Sequence, residues 1–273
     1  MERTIVTLAD GRDLDVVAVG EPGRPVVCFL HGTPGGPLET LGAAEAAESA
    51  KVRLIAAGRP GYADSTPLPR PGLGQVADDL IELADRWRIE RFGVLGVSGG
   101  GPYALVTALI GGDRVTRLGL LAGAGPWELI DPDEPDTAVE REAIATAASG
   151  DLARASAMLE AEIAPFIEMV RTSPPAPMPA SVAAAIVDGA RNGLGGYARD
   201  VLSQGLPWGL DPAAVAIETR LVYGESDRNV PAAHGRWYAE RIRGSILEIV
   251  PGADHPATIG GGYPAMLAFL AGD

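Results

Sequence analysis

A short apolar segment that ends in a glycine-flanked serine constrains this chain more than any other feature. Residues 92–97 are apolar or glycine, Ser98 follows, and a second apolar stretch begins at Tyr103. This pattern predicts a buried strand, a sharp turn and a helix. A serine on such a turn has a strained backbone, and a side chain at Gly96 or Gly100 would collide with the neighbouring strand or helix. A glycine-rich connecting loop would give the same pattern. Other parts of the chain therefore have to show whether Ser98 is a nucleophile or only part of such a loop.

Apolar runs and helical patterns alternate along most of the sequence. Two alternating runs at 4–8 and 13–19 predict an antiparallel hairpin closed by Asp10-Gly11-Arg12. Near-continuous apolar runs then predict strands covered on both faces, with helices between them. Together they predict a mostly parallel, eight-stranded α/β sheet with ligand sites at the C-terminal ends of its strands. The further predicted strands are 26–30, 53–57, 92–97, 117–122, 220–223 and 245–250, and the helices are 38–49, 73–87, 102–110, 232–242 and 263–271.

The alternation stops between residues 125 and 211, where the sequence has no strand pattern. Alanine-rich helical patterns occur there, together with a proline-rich stretch at 173–179 that predicts a stiff crossing. We interpret residues 125–211 as an inserted helical cap, and residues 1–124 with 212–273 as the core domain. The predicted helices of the insertion are 137–148, 152–169 and 182–190.

Charge and cysteine content exclude several classes of function. The 273 residues include 22 basic and 36 acidic side chains, and the net charge of −14 repels nucleic acids and anionic membrane surfaces. The single cysteine, Cys28, lies in an apolar run, so we expect a buried thiol without a disulfide. No cationic and apolar leader opens the sequence, and the apolar segment 118–125 is too short to span a membrane. We expect a cytoplasmic protein without nucleic-acid or membrane partners; a homodimer stays open.

No cofactor or metal is expected either. The three histidines are scattered and there is no cysteine pair, so no ligand spacing is present. The glycine run 96–101 is not in the dinucleotide-binding register, and no acidic residue closes a following strand. A small-molecule substrate is the partner that remains.

Polar residues follow two of the last predicted strands. Asp227 follows the strand near residue 222, and His255 follows the strand near residue 248. The 28 residues between them accommodate one helix and one strand, which places the two loops at the same sheet edge. A serine hydroxyl needs a histidine to take its proton and a carboxylate to orient that histidine. Ser98, Asp227 and His255 are therefore the predicted catalytic residues.

The loop that begins at His31 predicts part of an oxyanion hole. Such a hole needs two backbone N–H donors, and one is expected from Gly99, at a helix N-terminus. The other is expected from Thr33, because the next residue, Pro34, has no N–H. A phosphate-binding loop is the alternative, but the lysine of such loops is missing. The remaining histidine, His234, lies in a predicted polar helix, where we expect an exposed side chain.

With these motifs in place, the chain resembles α/β-hydrolase-fold enzymes that carry a cap. The resemblance implies that Ser98 is the nucleophile, Asp227 the acid and His255 the base, with oxyanion donors at Thr33 and Gly99. It also implies that the inserted helices cover the site and select the substrate. The matching segments are His31-Gly32-Thr33-Pro34-Gly35-Gly36, Arg59-Pro60-Gly61-Tyr62, Gly96 to Gly100, Gly224-Glu225-Ser226-Asp227 and Gly252-Ala253-Asp254-His255.

The resemblance also separates related activities. Relatives that open epoxides or remove halides use an aspartate nucleophile, which a serine at this position argues against. Proline iminopeptidases resemble the oxyanion loop but have a further glycine where this chain has Thr33. They also need acidic residues that hold the substrate amine, and Glu162, Glu168 and Asp200 are candidates. Tyr197 and Asp200 are expected to bind substrate from the cap, unless their segment is only a helix start.

The leading hypothesis is a carboxylesterase-like serine hydrolase. It would cleave an ester, thioester or lactone of a small-to-medium apolar substrate through an acyl-enzyme on Ser98. Three alternatives stay open: a proline iminopeptidase-like aminopeptidase, a carbon-carbon bond hydrolase or cofactor-free peroxidase on the same fold, and a small-molecule binder whose catalytic residues are unused.

Overall fold

Continuous apolar runs form the strands at the centre of the molecule, as their two-sided burial requires. The computed structural model describes residues 1–130 and 137–272. The sheet has the order β1-β2-β4-β3-β5-β6-β7-β8, with β2 antiparallel to both of its neighbours and all other pairs parallel. The predicted fold class, a mostly parallel eight-stranded α/β sheet flanked by helices, is confirmed. The strands are β1 (Glu2–Thr7), β2 (Asp13–Val19), β3 (Val26–Leu30), β4 (Arg53–Ala57), β5 (Phe92–Val97), β6 (Val115–Leu121), β7 (Glu218–Gly224) and β8 (Ile246–Val250).

Helices cover both faces of the sheet. Among the described residues they are α1 (Ala44–Ala50), α2 (Gly74–Arg86), α3 (Gly101–Gly111), α4 (Ala138–Ala148), α5 (Leu152–Thr172), α6 (Ala180–Gly189), α7 (Gly195–Gly205), α8 (Ala232–Arg241) and α9 (His255–Leu270). The hydrophobic cluster on one face of the sheet includes α2, α3 and α8, and the cluster on the other face includes α1 and α9. No helix of the described residues is both long enough and apolar enough to cross a membrane.

Helix α2 shows how the sequence pattern produces this packing. Val76, Leu80 and Leu83 recur at helical spacing and are all buried against the sheet. Burying one leucine side chain stabilises the folded state by roughly 2 kcal/mol. The helix ends at Arg86, and Arg88, two residues further on, has a left-handed backbone with a φ of 57°.

The last helix begins earlier than the sequence pattern predicts. We expected it near Tyr263, but α9 starts at His255. The Asp254 carboxylate accepts a hydrogen bond of 3.0 Å from the Ala257 amide, and Pro256 suits the first turn of a helix. The glycines at 260–262 interrupt the apolar spacing, which is why the pattern hides the first half of this helix.

Helices α4 to α7 follow β6 and precede β7 in the sequence, and they have a hydrophobic cluster of their own. Leu159, Ile163, Ile186 and Leu202 are among its buried members. No strand interrupts this region in the described residues, as the sequence pattern predicts. The domain division at residues 125 and 211 stays a prediction.

Cys28 is buried in β3, with 3% of its surface exposed. Burial raises the pKa of its thiol to about 12. The cysteine therefore behaves as a small apolar core residue, as expected.

Candidate active site

The turn after β5 holds Ser98 in a backbone conformation that side-chain-bearing residues rarely adopt. Its φ is 50°, in the left-handed region. A β-carbon built on Gly96 would lie 2.7 Å from the Ala104 β-carbon, and one built on Gly100 would lie 2.1 Å from the Leu30 carbonyl oxygen. Both glycines are thus required by the close approach of β3 and α3, and the predicted strand, turn and helix are observed.

A continuous chain of hydrogen bonds links the three predicted catalytic residues. The His255 Nε2 atom lies 3.0 Å from the Ser98 hydroxyl oxygen, and its Nδ1 atom lies 2.7 Å from an Asp227 carboxylate oxygen. Asp227 is buried, whereas His255 is partly exposed. The three side chains come from different loops at the C-terminal edge of the sheet, where parallel α/β proteins bind ligands.

Backbone amides fix the orientation of the Asp227 carboxylate. Its Oδ1 atom accepts hydrogen bonds from the amides of Asn229 and Val230 at 2.9 and 2.8 Å, which leaves Oδ2 for the imidazole. The loops after β7 and β8 are also joined directly, because the Ser226 amide donates to the Ala253 carbonyl at 2.9 Å. The acidic residue and the histidine are therefore held at a fixed separation.

Thr33 and Gly99 lie against each other beside Ser98. A β-carbon built on Gly99 would come within 3.1 Å of the Thr33 backbone nitrogen and 2.6 Å of the Thr33 β-carbon. Gly99 therefore has to be glycine for the loop after β3 to approach the serine turn. The two predicted backbone donors are brought together by this contact.

Arg59 holds the loop after β3 in place through several hydrogen bonds. It is buried and donates hydrogen bonds to the carbonyls of His31 and Gly32, the latter at 2.9 Å. The same guanidinium donates to the Thr33 hydroxyl at 2.9 Å and stacks over the Tyr103 ring with its central carbon 4.6 Å from the centroid. A single buried cation thus holds three consecutive residues of the loop.

Asp200 of α7 is the partner of this cation. Its carboxylate accepts hydrogen bonds from Arg59 Nε at 3.0 Å and from the hydroxyls of Thr33, Tyr62 and Tyr103 at 2.7, 2.8 and 2.7 Å. Burial by itself would raise the pKa of Asp200, but the charge and hydrogen bonds of Arg59 hold it below its ordinary value. The carboxylate is therefore ionised at neutral pH and fully occupied by protein donors.

This arrangement corrects the expectation that Tyr197 and Asp200 bind substrate from the cap. Neither side chain lines the cavity beside Ser98. The Tyr197 hydroxyl donates to the carboxylates of Glu140 and Glu162 at 2.8 and 3.1 Å. Both residues pack inside the protein because α7, whose start at Gly195 the sequence left ambiguous, turns them inwards. Glu162 and Glu168 do not line the cavity either, so the expected amine contacts are absent from its described walls.

The other two histidines are structural. Burial, with the nearby Arg59 charge, lowers the pKa of His31 to about 3. Its Nδ1 atom faces the Gly32 carbonyl at 2.9 Å, and its Nε2 atom accepts the Arg59 amide at 3.2 Å. His234 is buried, not exposed as expected, and its Nδ1 atom accepts the Gly125 amide at 2.8 Å, with a pKa lowered to about 4 by burial.

A cavity of about 450 Å³ opens beside Ser98 and His255. Its volume is in the range of small-molecule sites. Most of its wall is apolar, and α5, α6 and the stretch between them supply the side opposite the sheet. We call that side the roof; it consists of Phe166, Pro175, Ala176, Pro177, Met178, Pro179, Ser181, Val182, Ala185 and Ile186.

Glu39 lines the same cavity, and sequence reasoning missed it. It is buried, and one of its carboxylate oxygens accepts the Gly32 amide at 2.7 Å. Burial raises the pKa of Glu39 to about 7, although the Gly32 hydrogen bond and the charges of Arg59 and His255 oppose the shift. No spacing rule marks an acidic residue in a short turn after an oxyanion loop, so only the fold identifies it.

The whole chain is similar in fold to known proteins. The family model described as alpha/beta hydrolase fold matches residues 25–261. An esterase from Exiguobacterium antarcticum is 21% identical, covers 99% of this chain and 100% of its own, and has a TM-score of 0.74. The enol-lactonase from Burkholderia xenovorans LB400 is 18% identical, covers 98% of this chain and 100% of its own, and has a TM-score of 0.71. At these identities the similarity establishes a shared fold.

One curated relative matches over a shorter segment. The dihydrolipoyllysine-residue acetyltransferase component of the acetoin cleaving system of Pseudomonas putida is 34% identical over 113 residues, which is 41% of this chain. The match spans 30% of the length of that relative.

Proposed function

Because the chain belongs to the alpha/beta hydrolase fold family, we propose that it is a serine hydrolase that cleaves esters, thioesters or lactones of small-to-medium apolar substrates. The observation that carries the proposal is the hydrogen-bonded chain from Ser98 through His255 to Asp227, at 3.0 and 2.7 Å. A nucleophile, a base and an orienting carboxylate at these distances have the geometry of acyl transfer.

In the proposed first step, the Ser98 hydroxyl oxygen attacks the carbonyl carbon of the substrate. Its proton moves to His255 Nε2, and the Nδ1–H of the resulting imidazolium stays hydrogen-bonded to Asp227. His255 then gives the proton to the leaving alcohol or thiol, which leaves an acyl group on Ser98. Attack by water, with His255 again as base, releases the acid and restores the serine.

The amides of Thr33 and Gly99 are the proposed oxyanion donors. Negative charge develops on the substrate carbonyl oxygen during attack, and fixed N–H groups stabilise it without reorganisation. Gly99 belongs to the short turn that leads into α3, where the helix dipole favours negative charge. The ties from Arg59 to the loop of Thr33 support this role, since a donor contributes most when its position is fixed.

We further propose that α4 to α7 act as a cap that selects the substrate. The roof supplies mostly apolar side chains to the cavity, which favours apolar acyl or alcohol groups of limited length. The esterase and the lactonase similar in fold are consistent with such a substrate class.

The decisive test is hydrolysis of p-nitrophenyl esters of graded acyl length by the wild type and Ser98→Ala. We expect turnover by the wild type and a loss on the order of 10⁴-fold or more in kcat for the variant. Ser181→Ala is the matched control, because this serine also lines the cavity and has no contact with His255 among its described hydrogen bonds.

A fluorophosphonate probe gives a second readout, since it labels an activated serine without the need for a known substrate. Labelling is expected in the wild type and in Ser181→Ala, and none in Ser98→Ala. Equal labelling of the wild type and Ser98→Ala, or no labelling and no ester turnover at all, would reject the serine-hydrolase proposal.

A further inference from the structure

Glu39 places a carboxylate in the wall of the cavity that the proposed mechanism does not use. About 7% of its surface is exposed, and that surface faces the cavity. Its Oε2 atom accepts the Gly32 amide, while Oε1 has no hydrogen-bond partner among the described residues. This oxygen is not fully buried, so water or a ligand that enters the cavity can bind it.

The carboxylate is close to Ser98. A β-carbon built on Gly32 would lie 3.4 and 3.6 Å from the two Glu39 oxygens and 3.5 Å from the Ser98 β-carbon. One methyl group at Gly32 would therefore touch both side chains. A part of the substrate that extends from Ser98 towards Gly32 would therefore lie close to this carboxylate.

Among the described residues, no basic side chain forms an ion pair with Glu39. Arg59 is the nearest candidate, but its guanidinium donates to Asp200, Thr33 and two backbone carbonyls. Among the described residues that line the cavity there is no lysine or arginine, and Glu39 is the one acidic residue. Above the Glu39 pKa of about 7, the described wall therefore carries a negative charge at one defined point.

Two further features favour a cation at this point. The aromatic rings of Phe166 and Tyr263 line the same cavity, and aromatic faces attract cations that have lost part of their hydration. The net charge of −14 draws cations towards the protein and repels anions.

From this geometry we infer that Glu39 is a specificity residue that selects substrates with a cationic ammonium group a few atoms from the scissile bond. The inference rests on the proposed hydrolase function and changes its substrate class, from wholly apolar esters to esters that also carry a cationic group. The positive charge of an ammonium group compensates the carboxylate even without an N–H donor, whereas an anionic substrate meets repulsion that no basic side chain of the described wall offsets. The apolar roof accommodates the methylene or methyl groups that surround the charge.

Isosteric ester pairs test the inference, because they differ in charge and hardly in shape. Butyrylcholine and 3,3-dimethylbutyl butyrate place the charge in the alcohol. Methyl 4-(trimethylammonio)butanoate and methyl 5,5-dimethylhexanoate place it in the acid. We expect the wild type to prefer the cationic member of at least one pair by about 10-fold or more in kcat/KM, as a half-buried charge pair would give.

Glu39→Gln should abolish this preference, because it lowers kcat/KM for the cationic ester more than for its neutral isostere. The glutamine carbonyl can still accept the Gly32 amide, so the loop keeps its hydrogen bond. Glu48→Gln is the matched control, because it removes the same charge from an exposed position on α1, paired with Arg24. It should leave the preference unchanged, which separates a local contact from the overall charge.

The preference should also rise with pH in the wild type. Glu39 is ionised above its pKa of about 7 and protonated below it. The other titratable groups that face it are Arg59, His255 and Tyr263. The ratio of kcat/KM within a pair should therefore rise between pH 5.5 and 8.5, and Glu39→Gln should remove most of that rise.

The outcomes separate this inference from the hydrolase proposal. If neutral esters are cleaved but Glu39→Gln leaves the charge preference unchanged, the specificity role is rejected and the hydrolase stands. If the wild type shows no preference for either cationic ester, the role is rejected as well. If no ester is cleaved, calorimetric titration of choline and 3,3-dimethylbutanol decides, since tighter binding of choline that Glu39→Gln removes would support the role and equal binding would reject it.

Discussion

Burial determines the protonation of the groups around Ser98. His31 and His234 are held neutral by pKa values lowered to about 3 and about 4, so both keep the tautomers that their hydrogen bonds require across the physiological range. Glu39 is the opposite case, because burial favours its protonated form and raises its pKa to about 7. The charge of Glu39 in the cavity wall therefore changes near neutral pH.

This shift predicts how stability depends on pH. The folded state holds a proton on Glu39 up to pH 7, whereas the unfolded chain releases it near pH 4.5, so the stabilisation is complete below pH 4.5 and is lost as the pH rises through 7. Glu39→Gln has no such titration. Its free energy of unfolding relative to the wild type should rise between pH 4.5 and 8, by about 3 kcal/mol at most.

Urea unfolding of both proteins at a series of pH values measures this difference. A difference that stays constant from pH 4.5 to 8 would show that the Glu39 carboxyl titrates in the folded state as it does in the unfolded one. Glu48→Gln again serves as the control, because its carboxylate is exposed and its variant should follow the wild type.

At the scale of elements, one ion pair joins α7 to the loop after β3. Asp200 and Arg59 are both buried, and together they bind Thr33, whose amide is a proposed oxyanion donor. The position of α7 is thereby coupled to the proposed catalytic machinery. Asp200 acts through Thr33 and Arg59, so it is a positioning residue.

Asp200→Asn should therefore lower both stability and turnover. It leaves the Arg59 charge buried without compensation, which costs about 3–5 kcal/mol. We expect kcat to fall by about 10-fold with a smaller change in KM, because displaced donors weaken transition-state binding more than ground-state binding. Glu168→Gln, which removes an exposed carboxylate paired with Arg171 at 3.0 Å, should change stability by less than about 0.5 kcal/mol.

Thermal unfolding and ester kinetics of the two variants check this prediction. A purely structural role would lower the amount of folded enzyme and leave the kcat per active site, titrated with the fluorophosphonate, unchanged. That result would show that Asp200 is not a positioning residue.

At the scale of the whole molecule, the cavity lies between two separately packed bodies. The sheet and its helices carry the proposed nucleophile, base and acid. Helices α4 to α7 pack around their own cluster, and α5, α6 and the stretch between them supply the roof. Under the proposed function, the roof would limit substrate size and the residues at the sheet edge would carry out the chemistry.

Phe166→Ala tests this division of roles. Phe166 lies in α5 and belongs to the roof, so its truncation should enlarge the apolar part of the cavity. We expect the ratio of kcat/KM for a decanoyl to a butyryl ester to rise about 10-fold or more, with unchanged fluorophosphonate labelling. Met169→Ala, at an exposed position on the same helix, is the control, and an equal ratio in both variants would contradict the assignment of the roof.

The sequence predicts the elements whose patterns are local. Strands β3 and β4 have the bounds that their apolar runs indicate, and the order of Ser98, Asp227 and His255 along alternating strands predicts that they meet. Contacts between distant elements carry no such pattern. The burial of His234 depends on the Gly125 amide, which is distant in sequence.

Asp200 and Glu39 show the same limit at the site. An acidic residue in the insertion suggested a substrate contact, because the sequence does not show that Arg59 reaches across to it. Glu39 follows the oxyanion loop by only a few residues, yet its place in the cavity wall depends on how the short helix after Gly36 folds back over Gly32. Side-chain direction in irregular segments is decided by tertiary packing.

The buried Cys28 makes this chain a ready background for spectroscopic labelling. It is the sole cysteine, and a thiol with a pKa of about 12 inside β3 does not react with maleimides at neutral pH. A cysteine introduced at Met178 would then be the single reactive site, and a dye attached there would report the distance between the roof and the sheet. Any motion of the roof during turnover can thus be followed without first removing a native thiol.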